Sequence, residues 1–372
     1  MQTARTKMTI RLLTIVAAAG LGAAPALAQS SITLGGTVDV GVRQVKNGTL
    51  GSVSSSVSGA NSTSKLVLRG QEDLGAGLSA GFYLDGTIFA DSGGTSTPFW
   101  DRRSTLSLAH RDGGELRLGR DWVPTHLVWS AADPFATLGI AGANTFRSTQ
   151  SRAIGQAFGS TAAALAQSPT LRVANVVEYF LPSGLAGFSG ALMASAGEGG
   201  SAGTGSTRGD GWRLGWTDGR LNLGAAQFST RNANGGQDFK DQTWGASWDF
   251  GWVRASAGQR RWVYGSDRTT NTLVAAVIPA GPGVVKLSHL RANQQGASAA
   301  LSANDASLTG AGYVCNLSRR SALYAHLARL KNQGGATFTI AGGAATSALP
   351  TAPNYFGGQS STAFELGLRH DF

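Results

Sequence analysis

The chain has 372 residues, a formal net charge of +10, charged residues at only 14%, 53 glycines and one cysteine, Cys315. Charge this sparse and glycine this frequent exclude an ordinary cytosolic enzyme, and a lone cysteine rules out an intramolecular disulfide. The arginines are spread one or two to a segment rather than clustered, which speaks against a nucleic-acid surface.

Arg5, Lys7 and Arg11 form a basic start, the apolar run Leu12 to Leu21 follows, and Ala26-Leu27-Ala28 places small residues where a signal peptidase reads. Residues 1–28 are therefore expected to be a cleaved secretory signal, with 29–372 as the mature chain. Losing Arg5, Lys7 and Arg11 lowers the formal charge from +10 to +7. Beyond residue 28 no apolar run approaches the ~18–20 residues of a spanning helix. The one membrane architecture left is a closed β-barrel, because every backbone group in lipid needs a hydrogen-bond partner.

From Ser31 on, segments of ~9–12 residues alternate in polarity, the length and pattern of tilted membrane strands. Ser31 to Arg43 puts Ile32, Leu34, Val38, Val40 and Val42 on one face and Thr33, Thr37, Asp39 and Arg43 on the other. Ser64 to Glu72 turns Leu66 and Leu68 outward and Lys65 and Arg69 inward. Gly77 to Asp85 sends Leu78, Ala80, Phe82 and Leu84 to lipid and Ser79, Tyr83 and Asp85 to the lumen. Further segments start near Trp100, Gly114, Arg172, Ala186, Asp210, Arg220, Asp241, Trp252, Thr269, Val284, Ala306, Ser321 and Ser361. Tight turns rich in Gly, Asp and Pro join them in pairs. Between pairs lie polar stretches at 44–63, 121–171, 196–209, 294–305 and 332–360. The last segment places Phe364, Leu366, Leu368, His370 and Phe372 on one face, so the chain closes on an aromatic carboxyl terminus. The reading is all-β: a transmembrane antiparallel β-barrel of about 16 strands, with short turns at one end and long loops at the other. Trp100, Trp212, Trp216, Trp244, Trp248, Trp252 and Trp262, with Phe180, Phe188, Phe228 and Phe250, are expected in aromatic girdles at the lipid boundary, or for some of them in a subunit contact or the lumen wall.

Several stretches carry a family resemblance: Ser31-Ile-Thr-Leu-Gly-Gly-Thr-Val-Asp-Val-Gly-Val42, Ser64-Lys-Leu-Val-Leu-Arg-Gly-Gln-Glu-Asp-Leu-Gly-Ala-Gly-Leu-Ser-Ala80, Leu116-Arg-Leu-Gly-Arg120 and Ala132-Asp-Pro-Phe135. Arg172-Val-Ala-Asn-Val-Val-Glu-Tyr179, Gly312-Tyr-Val-Cys-Asn-Leu-Ser-Arg-Arg320, Leu323-Tyr-Ala-His-Leu-Ala-Arg329 and Gly367-Leu-Arg-His-Asp-Phe372 continue the series in collinear order. Together they resemble the general porins of β-proteobacteria, a sixteen-stranded trimeric family. The sequence departs from that pattern at Asp371, where a basic residue is usual, at Cys315, where an aromatic is usual, and in a long third loop.

The resemblance implies a homotrimer in the outer membrane of a Gram-negative bacterium, passing small hydrophilic solutes and ions passively. It further implies contact with outer-membrane lipid and lipopolysaccharide, and recognition of the C-terminal strand ending at Phe372 by the barrel assembly machinery. It also implies that the third extracellular loop, residues 121–171, folds inward and constricts the pore. Strand parity and family position together nominate Arg43, Lys65, Arg69, Arg102, Arg117 and Arg172 as the basic wall, with Asp85, Asp121 and Asp133 as its acidic counterpart. Arg102 and Arg103 point opposite ways on a regular strand. Leu106 and Leu108 share the parity of Arg102, so alternation alone turns Arg103 inward, whereas the resemblance favours Arg102. Arg147 and Arg152 sit in an acid-free part of the loop, and a surplus of fixed positive charge attracts anions. No cofactor is implied, no His/Cys cluster has metal-ligand spacing, and none of the five histidines sits in a nucleophile motif. Rival readings are a substrate-specific anion channel, and an adhesin or receptor barrel with a plugged lumen.

Overall fold

The computed structural model describes residues 31–159, 161, 165–166, 168–197, 208–231, 237–344 and 358–372. The expected signal, residues 1–28, lies outside them, as do parts of the stretches 121–171, 196–209 and 332–360. The strands are β1 (Ser31–Asn47), β2 (Ser52–Ser58), β3 (Lys65–Gly75), β4 (Leu78–Phe89), β5 (Gly94–Thr95), β6 (Arg103–His110), β7 (Gly114–Trp122), β8 (Arg172–Phe180) and β9 (Phe188–Ser195). They continue as β10 (Gly209–Thr217), β11 (Leu221–Arg231), β12 (Asp238–Asp249), β13 (Arg254–Tyr264), β14 (Asp267–Ala280), β15 (Gly283–Gln295), β16 (Ala306–Asn316), β17 (Ser321–Asn332) and β18 (Ser360–Asp371).

Pairing reduces these to sixteen barrel positions. One edge of β1 pairs with β3 over Ser31–Thr37 and with β2 over Val40–Lys46, so β2 and β3 share a single position. The short β5 only folds back on β4. The other edge of β1 pairs antiparallel with β18 from Thr37–Asp371 to Asn47–Ser361, which closes the sheet. The break between β2 and β3 is held by Asp39. Its buried carboxylate accepts the N–H groups of Asn61 (3.0 Å) and Ser62 (2.6 Å) and the Tyr324 hydroxyl (2.6 Å). At the seam, Phe372 exchanges two 3.1 Å backbone hydrogen bonds with Gly36, and its ring covers the space a Gly36 side chain would need.

Closure divides every strand into an outer and an inner face. On β18, Phe364, Leu366 and Leu368 are exposed while Ala363 and Glu365 are buried, the alternation expected of the final segment. Ile32, Leu34, Leu106, Leu192, Leu214, Trp244 and Leu327 extend this apolar outer band around the barrel. In water such a band would cost roughly 1.5–3 kcal/mol per large side chain, a cost that lipid removes. At the turns, Asp218 accepts the N–H groups of Arg220 and Leu221, which holds its carboxyl below the usual range. Gly219 beside it adopts φ 95°, a conformation that favours glycine.

Two expectations need correction. The stretch 44–63 is not all loop: β1 runs to Asn47 and β2 occupies Ser52–Ser58, because the free edge of β1 organises a serine-rich segment that has little apolar pattern of its own. Phe228 and Trp262 are fully buried on the inner face instead of sitting in a girdle. Trp262 packs with Phe239, Ala153 and Ile154, so the segment between β7 and β8 covers it.

Deleting Phe372 removes both hydrogen bonds to Gly36 and the ring above it. At about 1 kcal/mol per net hydrogen bond plus partial ring burial, the folded barrel is expected to lose roughly 2–4 kcal/mol. The urea midpoint of the heat-modifiable folded band reads this, and an unchanged midpoint would contradict the role given to the seam.

Candidate functional site

The segment joining β7 to β8 is the one long connection with several elements of its own among the described residues: α1 (Pro124–Ala132), a 3-10 turn at Ala143–Phe146, and α2 (Arg152–Phe158). Pro124 opens α1 where its missing N–H is not needed. Helix α1 lies against β10–β13, where Gly215, Gly224, Gly245 and Gly258 stand in register across four neighbouring strands. A Cβ on Gly224 would meet Val128 at 3.2 Å, and one on Gly245 or Gly258 would meet Ala132 at 3.4 Å. Glycine here serves close approach of a helix to the wall. Ser256 then donates to the Ala132 carbonyl at 2.7 Å. Trp129 of α1, with Phe135, Ile140 and Phe146 beyond the helix, joins Leu273, Leu290, Leu308 and Leu330 in one buried cluster. Those four leucines alternate with exposed neighbours, so the segment contacts the face opposite the outer band.

Polar anchors fix the segment at several points. Arg260, fully buried, pairs with Asp241 at 2.6 Å and donates to the Thr170 carbonyl at 2.6 Å, while Thr125 donates to Asp241 at 2.6 Å. Glu365 accepts the Ile140 N–H at 3.3 Å and contacts Arg43 (2.6 Å) and His326 (3.0 Å). Arg152 pairs with Asp267 at 2.9 Å. Arg147 donates to Thr170 Oγ1, the Leu165 carbonyl and Ser168 Oγ, and burial lowers its pKa to about 10, so it remains a cation at neutral pH. Arg260 and Asp241 were not singled out in the sequence. Placing Trp262 outward also turns Arg260 outward, since residues two apart share a face.

The nominated wall residues separate into three groups. Arg69 and Arg117, with Arg103, Tyr83 and Glu115, line a hollow of about 470 Å³. Arg117 binds Asp121 at 2.7 Å and Glu115 at 2.9 Å, Arg103 approaches the same Asp121 at 3.4 Å, and the Arg103 guanidinium lies 4.3 Å over Tyr83. Lys65 shares the Arg69 face of β3 and is half-buried. A second group surrounds Trp122: Arg172 lies 3.5 Å over its ring, Arg102 lies 5.5 Å from it, and His126 stacks on it at 4.5 Å. Arg43 stands apart, bound to Glu365 and to the Ala341 carbonyl.

The choice between Arg102 and Arg103 dissolves in the structure. Strand β6 begins at Arg103, which shares the face of Thr105 and Ser107 opposite the exposed Leu106 and Leu108. Arg102 precedes the strand, where alternation does not apply, and pairs with Asp85 at 3.1 Å. Asp133 is not a free wall acid. Buried to 5% exposure, it accepts the N–H groups of Phe135, Thr137 and Ala143 and so wraps the tip of the segment around itself; burial raises its pKa. His126 is driven the other way, well below the ordinary histidine value, by burial and then by Arg260, Arg172, Arg147 and Arg102. Among the described residues no group of three or more His, Cys, Asp or Glu side chains could hold a metal ion.

The family model for Gram-negative porins matches residues 13–335. The chain is 36% identical over 382 residues to outer membrane porin protein 32 of Delftia acidovorans, covering 98% of this chain and 100% of that protein. An anion-selective porin from Comamonas acidovorans shares its structure with a TM-score of 0.76 at 34% identity, over 92% of this chain and 100% of that one. OmpF of Salmonella typhi shares the fold alone, with a TM-score of 0.61 at 14% identity over 92% of this chain and 97% of that one. The chain belongs to the Gram-negative porin family, a closed sixteen-strand β-barrel of the outer membrane.

Proposed function

We propose that this porin is an anion-selective general diffusion channel for small hydrophilic solutes and ions, and not an enzyme, working as a homotrimer with residues 1–28 removed as a signal. Residues 121–171 fold into the barrel and narrow it, a reading supported by the contacts of this segment with the face of β10–β15 and β18 opposite the outer band. Selectivity is assigned to Arg69, Arg102, Arg103, Arg117, Arg147 and Arg172, with Lys65 and Arg43 adding to the same sign.

One observation carries this reading: three of the six assigned arginines stand without an ion-paired carboxylate among the described residues. Asp121 serves both Arg103 and Arg117, Glu115 adds a second carboxylate to Arg117, Asp85 is taken by Arg102, and Asp133 is absorbed by backbone N–H groups. Arg69, Arg147 and Arg172 have no carboxylate within ion-pair distance among the described residues. In a narrow passage of low effective dielectric, uncompensated charge acts on a passing ion far more strongly than in bulk water. The relative from Comamonas acidovorans is an anion-selective porin, which points the same way.

Replacing Arg103 or Arg117 by glutamate tests the assignment. Each change is expected to lower the anion-to-cation permeability ratio by about three- to tenfold at low salt, less as salt screens the wall. Bilayer recordings in a KCl gradient read this; an unaltered ratio in both variants would remove these residues from the selectivity mechanism. Saturation by a particular anion would instead favour a substrate-specific channel. Native mass spectrometry of the detergent-extracted protein checks the trimer, and a monomer would contradict it.

A pH dependence follows from His126. Its pKa is lower folded than the unfolded value of about 6.5, so its contribution to packing against Trp122 is complete above about pH 6.5 and is lost as pH falls below that. Channel closures are expected to become more frequent as pH falls below about 6.5. His126→Phe keeps a ring on Trp122 and should abolish most of this response. An identical response in the variant would place the titrating group elsewhere.

A further inference from the structure

The glycine row across β10–β13 extends one strand further than the helix packed on it. Gly224, Gly245 and Gly258 lie under Val128 and Ala132 of α1, which accounts for them. Gly215 is different. Among the described residues, a Cβ there would meet the Ser189 hydroxyl at 2.7 Å and the Leu223 carbonyl at 3.5 Å, and no atom of the helix. Its bare backbone floors a groove of about 180 Å³ beside α1, with Leu127, Val128 and Ala131 as one wall. Arg213, two residues before Gly215 and on the same face, stands at the end toward the long stretch 196–209. Thr217, Asn222 and Ser247, in register across β10–β12, stand at the end toward the turn.

Arg213 is short of partners. Its Nε is closed off from solvent without a hydrogen bond, and no carboxylate lies within ion-pair distance among the described residues. Glu178 on β8 and Arg117 on β7 are the charged groups that act on it, with opposite signs. Arg117 is already held by Asp121 and Glu115, and Glu178 is buried beyond pairing distance. The Arg213 guanidinium lines the groove, so its donors face an occupant there.

An apolar wall, a floor without side chains and one cation at the end define that occupant. The volume is well below the roughly 300 Å³ of the smallest drug-sized sites, which limits the apolar part to about one ring. Glycine within a strand marks a place where a ligand can approach the backbone closely, and a flat group uses such a floor best. We propose that this groove is a subsite for a small carboxylate bearing one flat apolar ring. The carboxylate takes the fork of Arg213, which matches it in shape and charge. The ring lies on Gly215 against Leu127 and Ala131, and Thr217, Asn222 and Ser247 are left for a polar ring substituent. The inference rests on the channel reading only for delivery of the solute to this face of the wall.

The test titrates the folded full-length protein in detergent with benzoate, with benzamide (the same ring without the charge) and with acetate (the same charge without the ring). Ligand-observed NMR reads binding, with protein-free micelles as the blank. Benzoate is expected to bind more tightly than either of the others. Arg213→Gln should weaken benzoate about tenfold and leave benzamide unchanged, and Arg213→Lys should recover part of the loss. Ala131→Phe fills the groove without touching Arg213 and should also weaken benzoate, which keeps the proposal open to test if Arg213→Gln does not fold. Benzamide or acetate bound as tightly as benzoate, or benzoate bound equally by wild type and Ala131→Phe, would overturn the proposal. Bilayer recordings run in parallel, where benzoate should reduce the wild-type chloride current saturably. Absence of any wild-type conductance would defeat the channel reading, while the NMR titration still decides the subsite.

Discussion

A backbone amide that crosses hydrocarbon has to be hydrogen-bonded within the protein, and in this chain the last open edges are satisfied by β18 meeting β1. Everything else follows from that closure. Once the sheet is continuous, alternate residues are forced outward and inward, and the outer face has to be apolar where lipid lies. The inner face is then free to carry arginine, aspartate and glutamate at a density no lipid-facing surface could hold. At the seam, Phe372 adds two bonds to Gly36 and lays its ring over that glycine.

The segment between β7 and β8 packs against the face of the wall opposite the outer band. It has apolar groups for the leucines of β14–β17, a glycine row for the back of α1, and a buried Arg260–Asp241 pair that holds both its beginning at Thr125 and its end at Thr170. Removing one partner of such a pair costs about 3–5 kcal/mol, because the remaining charge stays buried. Much of the acidic complement of the wall is bound up in structural work of this kind. Asp39 braces a strand break, Asp133 wraps a loop tip, Asp241 anchors a connection and Glu365 ties the segment to β18. The guanidinium groups around Trp122 and Tyr83 are held by stacking as much as by ion pairs. Stacking fixes position without neutralising charge, which is how the proposed positive excess would persist in an ordered wall.

Strands were legible in the sequence where one face meets lipid. The two-residue period of Phe364 to Phe372 gave the facing of β18, and most strand starts fall within a few residues of their turn signals. Legibility failed where a residue type has two homes. Trp262 and Phe228 have the size and polarity of girdle residues, yet they are covered from inside by groups far away in sequence, which no local pattern records. The serine-rich β2 carried no apolar signal because its order comes from the edge of β1. For the site, Arg69, Arg117 and Asp121 could be nominated by parity and resemblance. The roles of Arg260 and Asp133 depend on long-range register and on local backbone wrapping, and neither can be read from a spacing.

Fixed positive charge on the wall, not pore width alone, is proposed to set which ions pass. The most direct measurement is the zero-current potential of the wild-type channel at a constant tenfold KCl gradient, repeated at low and at high absolute salt. A wall of uncompensated arginines predicts chloride preference that is strong when the Debye length is ~10 Å or more and decays as it shrinks toward ~3 Å. Potassium preference, or a chloride preference indifferent to salt, would contradict the account.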